Sequence, residues 1–138
     1  MQHAQKVLIV EDSDFQADIL NTILNDLGIK NVTKAVNGVH AVDHFERALL
    51  NGVPYSLVFL DIIMPEMDGQ EALKRMRALE KTAGVGENNK TTIIMTTALN
   101  SPAEMITALI ENDCTDYIVK PVAENNLRSM LVKYGVIE

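Results

Sequence analysis

The sequence has few features of a secreted or membrane-embedded protein. It contains one cysteine, Cys114, which excludes an internal disulfide and favours a reducing compartment. The first residues, MQHAQK, lead into a short apolar run that lacks the length of a signal-peptide core, and no run is long enough to span a bilayer. There is no internal repeat and no low-complexity tract. These absences predict a cytoplasmic protein without membrane insertion.

Basic residues are also scarce. The chain has 12 Lys and Arg against 19 Asp and Glu, which gives a net charge of −7. A nucleic-acid interface needs a basic patch, so direct nucleic-acid binding is not expected, whereas cation binding fits this balance. With 138 residues, 47% of them hydrophobic and 22% charged, the chain has the size and composition of one folded domain.

Strand-like and helix-like segments alternate along the chain. Short apolar or β-branched runs predict strands at residues 7–10, 32–36, 57–60, 92–96 and 117–119. Helix N-caps are predicted at Ser13, Asn37, Asp68 and Ser101. The core face of the fourth helix is assigned to Ile106, Leu109 and Ile110. This alternation predicts an α/β fold, a doubly wound five-stranded parallel sheet with five helices.

Polar residues follow the carboxyl ends of these predicted strands. Glu11 and Asp12 follow the first strand, Asp61 follows the third, Thr96 and Thr97 lie at the end of the fourth, and Lys120 follows the fifth. In an open parallel sheet the strands' carboxyl ends border one crevice, which is where ligands bind. A lone carboxylate at the end of a buried strand is costly unless a cation meets it. The sequence therefore predicts that these side chains converge.

Three carboxylates in one crevice indicate a divalent metal. At ~4 Å and an effective dielectric near 20, each like-charged pair costs about 4 kcal/mol. Mg²⁺ suits a site of carboxylates, waters and phosphate oxygens, whereas zinc would call for His or Cys, and no EF-hand loop is present. Lys120 and Thr97 make sense if Asp61 accepts a phosphoryl group, because they can bind its remaining oxygens.

Four segments together resemble a known family. They are VLIVEDS at residues 7–13, LVFLDIIMPEMDG at 57–69, MTTA at 95–98 and YIVKP at 117–121. The sequence resembles the receiver domain of bacterial two-component response regulators, of the stand-alone chemotaxis type. The resemblance covers nearly the whole chain and implies a flavodoxin-like strand order of 2-1-3-4-5.

The resemblance also implies a role for each site residue. Asp61 is implied as the phosphoacceptor, and Glu11, Asp12, Asp61 and the backbone carbonyl of Ile63 as the ligands of Mg²⁺. Lys120 is implied as the residue that pairs with the phosphoryl group.

Two further positions are implied to act as a switch. Thr97, chosen over Thr96 because only the Thr97-Ala98 step matches the family, would move toward the phosphoryl group. Tyr117 would then swing inward. The Lys120–Pro121 peptide is implied to be cis, a geometry found mainly before proline.

The implied function is a phosphorylation-driven switch. A sensor histidine kinase or a histidine phosphotransfer protein would phosphorylate the domain, and a downstream protein would bind the face formed by helix 4, strand 5 and helix 5. The domain would catalyse only its own phosphorylation and dephosphorylation. Residues 1–138 are expected to form a single receiver domain without an output domain, whose output is either a protein contact or onward phosphate relay.

Two residue-level expectations accompany this function. Met105 and Ala108, placed off the core stripe of the fourth helix, are predicted to form part of a partner surface beside Tyr117. Ile63, apolar at the lip of the pocket, cannot orient an attacking water. Loss of the acyl phosphate is therefore expected to be slower than in an Ile63→Asn variant.

Two other functions fit parts of the pattern. A Mg²⁺-dependent phosphohydrolase could use Asp61 as nucleophile, but Ile63 stands where such enzymes usually place an acid/base. A flavodoxin-like FMN module could share the fold, but the acidic segment at residues 11–14 would repel the phosphate that its first loop should bind.

Overall fold

The computed structural model describes residues 5–62, 64, 67–97 and 102–138. The strands of this part of the chain are β1 Lys6–Val10, β2 Asn31–Ala35, β3 Leu57–Asp61, β4 Thr92–Thr97 and β5 Asp116–Val119. The helices are α1 Asp14–Asp26, α2 Gly38–Leu50, α3 Gly69–Thr82, α4 Pro102–Ile106 and α5 Glu124–Lys133. The α4 helix continues as a π-helical turn, Thr107–Glu111, and a short 3₁₀ turn, Glu87–Asn89, precedes β4.

The strands form one parallel sheet in the order β2-β1-β3-β4-β5. This confirms the α/β fold and the 2-1-3-4-5 order that the sequence predicted. The chain moves outward from β1 to β2 and then returns past β1 to β3, so the direction of winding reverses between β1 and β3. The crevice at this reversal is the expected ligand-binding position in such a sheet.

Alternate residues of the strands build two apolar layers. One layer joins the sheet to α2, α3 and α4, and it contains Val58, Leu60 and Met95. The other joins the sheet to α1 and α5, and it contains Ile9 and Phe59. Because side chains along a strand point to alternate faces, five residues of β3 serve both layers and are buried throughout. Asp61 is thus held at the end of a rigid, fully covered strand.

Three of the predicted helix caps are present. The side chains of Ser13, Asn37 and Asp68 each accept a hydrogen bond from the backbone N–H three residues later, at 3.3, 2.9 and 2.9 Å. Such a bond satisfies one of the N–H groups that the first turn of a helix leaves without a partner. The predicted cap at Ser101 lies outside the described residues.

The fourth helix buries a different face from the one that the sequence suggested. Ile106 is 58% exposed and Ile110 78%, whereas Ala108 is fully buried and Met105 packs against the core. The predicted core face of Ile106, Leu109 and Ile110 is therefore wrong, and so is the partner surface assigned to Ala108. Met105 and Ala108 are three residues apart and share one face, while Ile106, Leu109 and Ile110 share the neighbouring face.

Candidate functional site

The carboxyl ends of β1, β3, β4 and β5 bring the predicted site residues to one edge of the sheet. Backbone hydrogen bonds continue past the strand ends: Glu11 N–H donates to Ala35 O at 3.0 Å, and Lys120 N–H donates to Thr97 O at 2.8 Å. Glu11 and Lys120 therefore start from backbone positions that are fixed by the neighbouring strands. The site is built on strand ends and their first following residues, not on mobile loop tips.

Three carboxylates form a cluster at this edge. Glu11, Asp12 and Asp61 can each offer an oxygen such that all three lie within 4.8 Å of one another. Glu11 and Asp61 are each only 7% exposed, while Asp12 faces solvent. Two buried acids and one exposed acid thus share one small volume, as the sequence predicted.

Lys120 brings the positive charge to this cluster. Its Nζ lies 3.0 Å from Glu11 Oε2 and 3.1 Å from Asp61 Oδ2, so one ammonium group contacts both buried carboxylates. The lysine side chain is 24% exposed, which leaves the ion pairs poorly screened by water. When all four groups are ionised, three negative charges face one positive charge.

The titration of the cluster reflects this imbalance. Burial and the neighbouring Asp61 carboxyl raise the pKa of Glu11 from 4.5 to about 7, against the opposing effect of Lys120. Burial alone lowers the pKa of Lys120, but the hydrogen bond to Glu11 and the charges of Asp61 and Glu11 outweigh it, and the net pKa is raised. The Lys120 ammonium group is therefore kept charged, and its single positive charge does not balance three ionised carboxylates.

The donor set fits a hard divalent cation such as Mg²⁺. It consists of carboxylate oxygens, and one of its members is open to solvent, so that bound waters could remain. His and Cys are absent from the cluster, which disfavours zinc. Ile63, whose backbone carbonyl was expected to be a further ligand, lies outside the described residues.

The start of α3 is packed directly against the end of β3. Gly69 N–H donates to Ile62 O at 2.8 Å, and a Cβ atom on Gly69 would lie 2.2 Å from the backbone oxygen of Asp61. No side chain fits at that distance, so only glycine allows this approach. The sequence marked this glycine as part of a motif, but its contact with Asp61 is visible only in the folded chain.

Sheet register separates the two candidate threonines. Met95 pairs with Tyr117, so Thr97, two residues further along β4, lies on the same face of the sheet as Tyr117. Thr96 pairs with Asp61 and lies on the face of α1 and α5. Both threonines are buried, and Tyr117 is half-buried against the core. Thr97 and Tyr117 thus share one face of the sheet, and the choice of Thr97 as the switch residue stays a prediction.

An apolar cavity that the sequence did not predict lies beside the acidic cluster. Its volume is about 450 Å³, and it lies between α1, the sheet and the residues after β5. Glu11 and Lys120 border it on the side of the cluster, and Phe15 and Ile19 of α1 border it on the outside. Phe15 is 75% exposed and Ile19 43%. They are one turn apart and share one side of α1, away from its buried residues Ala17, Leu20 and Leu24.

Comparison with known proteins agrees with this geometry. The family model described as "Response regulator receiver domain" matches residues 7–132. The chain belongs to the response regulator receiver domain family. This receiver domain is similar to the chemotaxis protein CheY of Listeria monocytogenes, with 34% identity over 128 residues, 93% of this chain and 96% of that protein.

Two solved receiver domains are also similar. One is the receiver domain of the response regulator Ssk1 of Saccharomyces cerevisiae, crystallised with the histidine phosphotransfer protein Ypd1, with a TM-score of 0.81 and 31% identity over 98% of this chain and 91% of that one. The other is that of the sensor histidine kinase PA1611 of Pseudomonas aeruginosa, solved with a magnesium ion in its active-site cleft. Its TM-score is 0.75, with 27% identity over 96% of this chain and 98% of that one.

Family membership decides between the functional classes that the sequence left open. Receiver domains are signalling domains of two-component systems and not classical enzymes, so this domain is a signalling module related to CheY. The Lys120–Pro121 peptide is cis, as the resemblance implied. None of the helices in the described residues combines the length and apolar character that crossing a membrane requires.

Proposed function

We propose that Asp61 is the phosphoacceptor of this receiver domain and that its donor is a phosphohistidine of a sensor histidine kinase or histidine phosphotransfer protein. The observation that supports this most directly is the position of Lys120, whose Nζ is 3.1 Å from Asp61 Oδ2 inside a cluster of acids. A fixed ammonium at that distance can contact a phosphoryl oxygen once one is attached to Asp61.

Magnesium is the proposed cofactor, held by the carboxylates of Glu11, Asp12 and Asp61 and by the backbone carbonyl of Ile63. Bound there, it would neutralise negative charge on the phosphoryl oxygens. The excess of carboxylates over cations at the site supports this assignment, as does the raised pKa of Glu11.

The proposed transfer is a single displacement at phosphorus. An oxygen of the Asp61 carboxylate attacks, a new O–P bond forms, and the P–N bond to the donor imidazole breaks. The imidazole leaves with the electron pair of that bond and takes up a proton, and no group is oxidised or reduced. Lys120 holds one phosphoryl oxygen, and the hydroxyl of Thr97 binds another after moving toward it.

The proposed docking surface for the donor is the exposed apolar part of α1. Phe15 and Ile19 lie beside the cavity that adjoins Glu11 and Lys120, so a donor bound there would present its phosphohistidine to the acidic cluster. Large apolar side chains exposed next to a reaction site are typical of a protein interface.

The proposed output surface is the face of α4, β5 and α5. Movement of Thr97 would make room for Tyr117, which lies on the same face of the sheet, and an inward Tyr117 changes the surface at β5. The exposed residues Ile106 and Ile110 of α4 offer apolar contacts to a downstream protein. For this switch, phosphorylation needs only to stabilise one of two existing conformations of the domain more than the other.

Mass spectrometry of the intact protein tests the acceptor and the metal together. Incubation with acetyl phosphate and Mg²⁺ is expected to add the mass of one phosphoryl group to the parent and none to Asp61→Asn. Labelling should be absent in EDTA. Equal labelling of both proteins would overturn the assignment of Asp61, and continuous hydrolysis of small phosphate esters would favour a phosphohydrolase.

A cytoplasmic location, a single-domain organisation and a slow loss of the acyl phosphate because of Ile63 stay predictions. A cytoplasmic location and a single-domain organisation rest on the sequence alone. The Ile63 prediction is checked by comparing the acyl-phosphate lifetime of the parent with that of Ile63→Asn. Equal or faster loss in the parent would contradict it.

A further inference from the structure

The first two residues of α3 face different neighbours. Gly69 is buried against the backbone of Asp61 and Ile62, with its N–H bonded to Ile62 O at 2.8 Å. Gln70, the next residue, extends its side chain to α4. The beginning of α3 is therefore in contact with the end of β3 on one side and with α4 on the other.

The Gln70 amide makes one hydrogen bond to α4 and one to Asn112, the residue that follows its π-helical turn. Its Nε2 donates to the backbone oxygen of Glu104 at 2.6 Å, and its Oε1 accepts from Asn112 Nδ2 at 2.8 Å. The orientation of the amide is fixed, because a carbonyl oxygen can only accept and must therefore meet the NH₂ group. We call this pair of hydrogen bonds the Gln70 bridge.

The Gln70 bridge spans the irregular part of α4. The helix changes from α-helical to π-helical geometry after Ile106, and Asn112 N–H donates to Thr107 O, five residues back. Where hydrogen bonding changes from i−4 to i−5, a carbonyl loses its usual donor. Side-chain donors are found in this region: Gln70 at Glu104 O, and the Thr107 hydroxyl at Ala103 O, 3.1 Å away.

We propose that Gln70 is a positioning residue that transmits the state of Asp61 to α4. A single hydrogen bond would allow α4 to pivot about it, whereas bonds at Glu104 and Asn112, on either side of the π-helical turn, fix both the place and the rotation of the helix. Since Gly69 moves with the backbone of Asp61, Gln70 carries any displacement at the end of β3 to α4. This inference rests on the proposed phosphorylation of Asp61.

The consequence concerns the exposed apolar residues of α4. Ile106 and Ile110 point away from the core, and their position relative to β5 depends on the rotation of α4. With the Gln70 bridge intact, phosphorylation rotates α4 as one unit. Without it, α4 fluctuates in both states and the phosphorylated and unphosphorylated forms present similar surfaces.

Hydrogen exchange of α4 peptides tests the Gln70 bridge. The probe variant is Gln70→Met, which keeps the length of the side chain but has no amide, and Asn112→Ala removes one of the two bonds. Lys74→Met is the matched control, because Lys74 is exposed one turn further along α3. Each protein is measured before and after complete labelling with acetyl phosphate and Mg²⁺, with intact mass as the record of labelling.

In the unlabelled state, we expect exchange at residues 104–112 to be roughly threefold to tenfold faster in Gln70→Met than in the parent, with a smaller increase in Asn112→Ala. In the parent, labelling should change this exchange; in Gln70→Met, the change should be reduced by at least half. Lys74→Met should behave as the parent. A merely structural contact would raise exchange without altering the difference between the labelled and unlabelled forms.

Two results would overturn the proposal: equal exchange of α4 in the parent and Gln70→Met, or faster exchange in Gln70→Met with an undiminished effect of labelling. Failure of the underlying function is distinct from both. In that case acetyl phosphate would not label the parent at all, while the unlabelled proteins would still show whether the Gln70 bridge holds α4.

Discussion

At the scale of single residues, Lys120 supplies positive charge to the acidic cluster. Its ammonium group contacts Glu11 and Asp61 at 3.0 and 3.1 Å, and the backbone bond from Lys120 to Thr97 O fixes where the side chain begins. A point charge held in place before the reaction needs no rearrangement when charge develops on a phosphoryl group. Its contribution should therefore appear in the rate of transfer more than in the affinity for metal.

Substitution of Lys120 measures that contribution. We expect Lys120→Gln to label about a hundredfold more slowly than the parent with acetyl phosphate and Mg²⁺, since removal of one charge-stabilising donor has an effect of this order. The rate of mass increase is the readout. Lys133→Gln, a change at an exposed lysine of α5, is the control and should label normally. A Lys120→Gln rate within threefold of the parent would contradict the role.

Glu11 gives the metal-free protein a characteristic pH dependence. Its pKa is raised from 4.5 to about 7 by burial and by Asp61, so its contribution to stability is full below the unfolded pKa and is lost as the pH rises through 7. In EDTA, Glu11→Gln should therefore gain stability relative to the parent between about pH 5 and about pH 8, by roughly 2 kcal/mol.

Urea unfolding of both proteins in EDTA across this range checks the prediction, because titrating groups outside the cluster cancel in the comparison. The free energy of unfolding of the parent should fall more steeply with rising pH than that of Glu11→Gln. Parallel curves would show that Glu11 titrates at its ordinary value in the folded protein.

At the scale of the elements, the close contact between α3 and β3 is the feature that tolerates substitution least. A Cβ on Gly69 would be 2.2 Å from Asp61 O, and that oxygen belongs to the backbone and cannot rotate away. We expect Gly69→Ala to lose about 2 kcal/mol or more of stability and to label more slowly, because Asp61 is displaced. Thermal unfolding and the rate of mass increase measure the two effects.

Gly86→Ala is the matched control for Gly69. No atom lies within 4 Å of a Cβ at Gly86, and the backbone there is extended and exposed. Its stability and labelling should equal those of the parent. If Gly69→Ala were equally silent, the contact between α3 and Asp61 would have no functional weight.

Local rules predicted the beginnings of the helices but not every buried face. The caps at Ser13, Asn37 and Asp68 depend on residues three positions apart, and each is confirmed. In α4 two neighbouring faces are both apolar, and the sequence offers no means of choosing between them. The packing of α4 against the core decides, because a small residue, Ala108, allows α4 to approach closely.

At the scale of the whole molecule, the two ends of the sheet are built differently. At the amino ends of the strands, the Arg77 guanidinium bonds to Glu80 at 2.7 Å, to Thr91 O at 2.9 Å and to Asp113 O at 2.8 Å. That network pairs a buried acid with a largely covered base and joins α3 to the starts of β4 and β5. At the carboxyl ends, buried acids outnumber the available base. One end is thus electrostatically satisfied, and the other carries the excess negative charge that the proposed magnesium ion would neutralise.

The sequence could predict the residues of the acidic cluster but not the features that depend on long-range packing. Glu11, Asp12, Asp61 and Lys120 each follow a recognisable strand, and the common direction of parallel strands brings them together. The cavity beside α1 and the Gln70 bridge depend instead on the distances between elements that are far apart in the chain. No local pattern encodes those distances, so both features required the folded structure.

The exposed part of α1 leads to a prediction about the choice of donor. A phosphohistidine protein must contact the surface around the acidic cluster, whereas acetyl phosphate is small enough to reach Asp61 without it. Phe15 is 75% exposed beside the cavity, and truncation of an aromatic side chain at an interface commonly costs more than about 1 kcal/mol. Phe15→Ala should therefore slow labelling by a phosphorylated histidine phosphotransfer protein about tenfold and leave labelling by acetyl phosphate unchanged.

The ratio of the two rates separates docking from chemistry. Leu50→Ala is the control, because Leu50 is 80% exposed but ends α2 at the opposite edge of the sheet. It should change neither rate. Equal slowing of both donors by Phe15→Ala would mean that Phe15 supports the reaction site itself. An unchanged rate with the protein donor would mean that the donor approaches Asp61 from another side, past the start of α3.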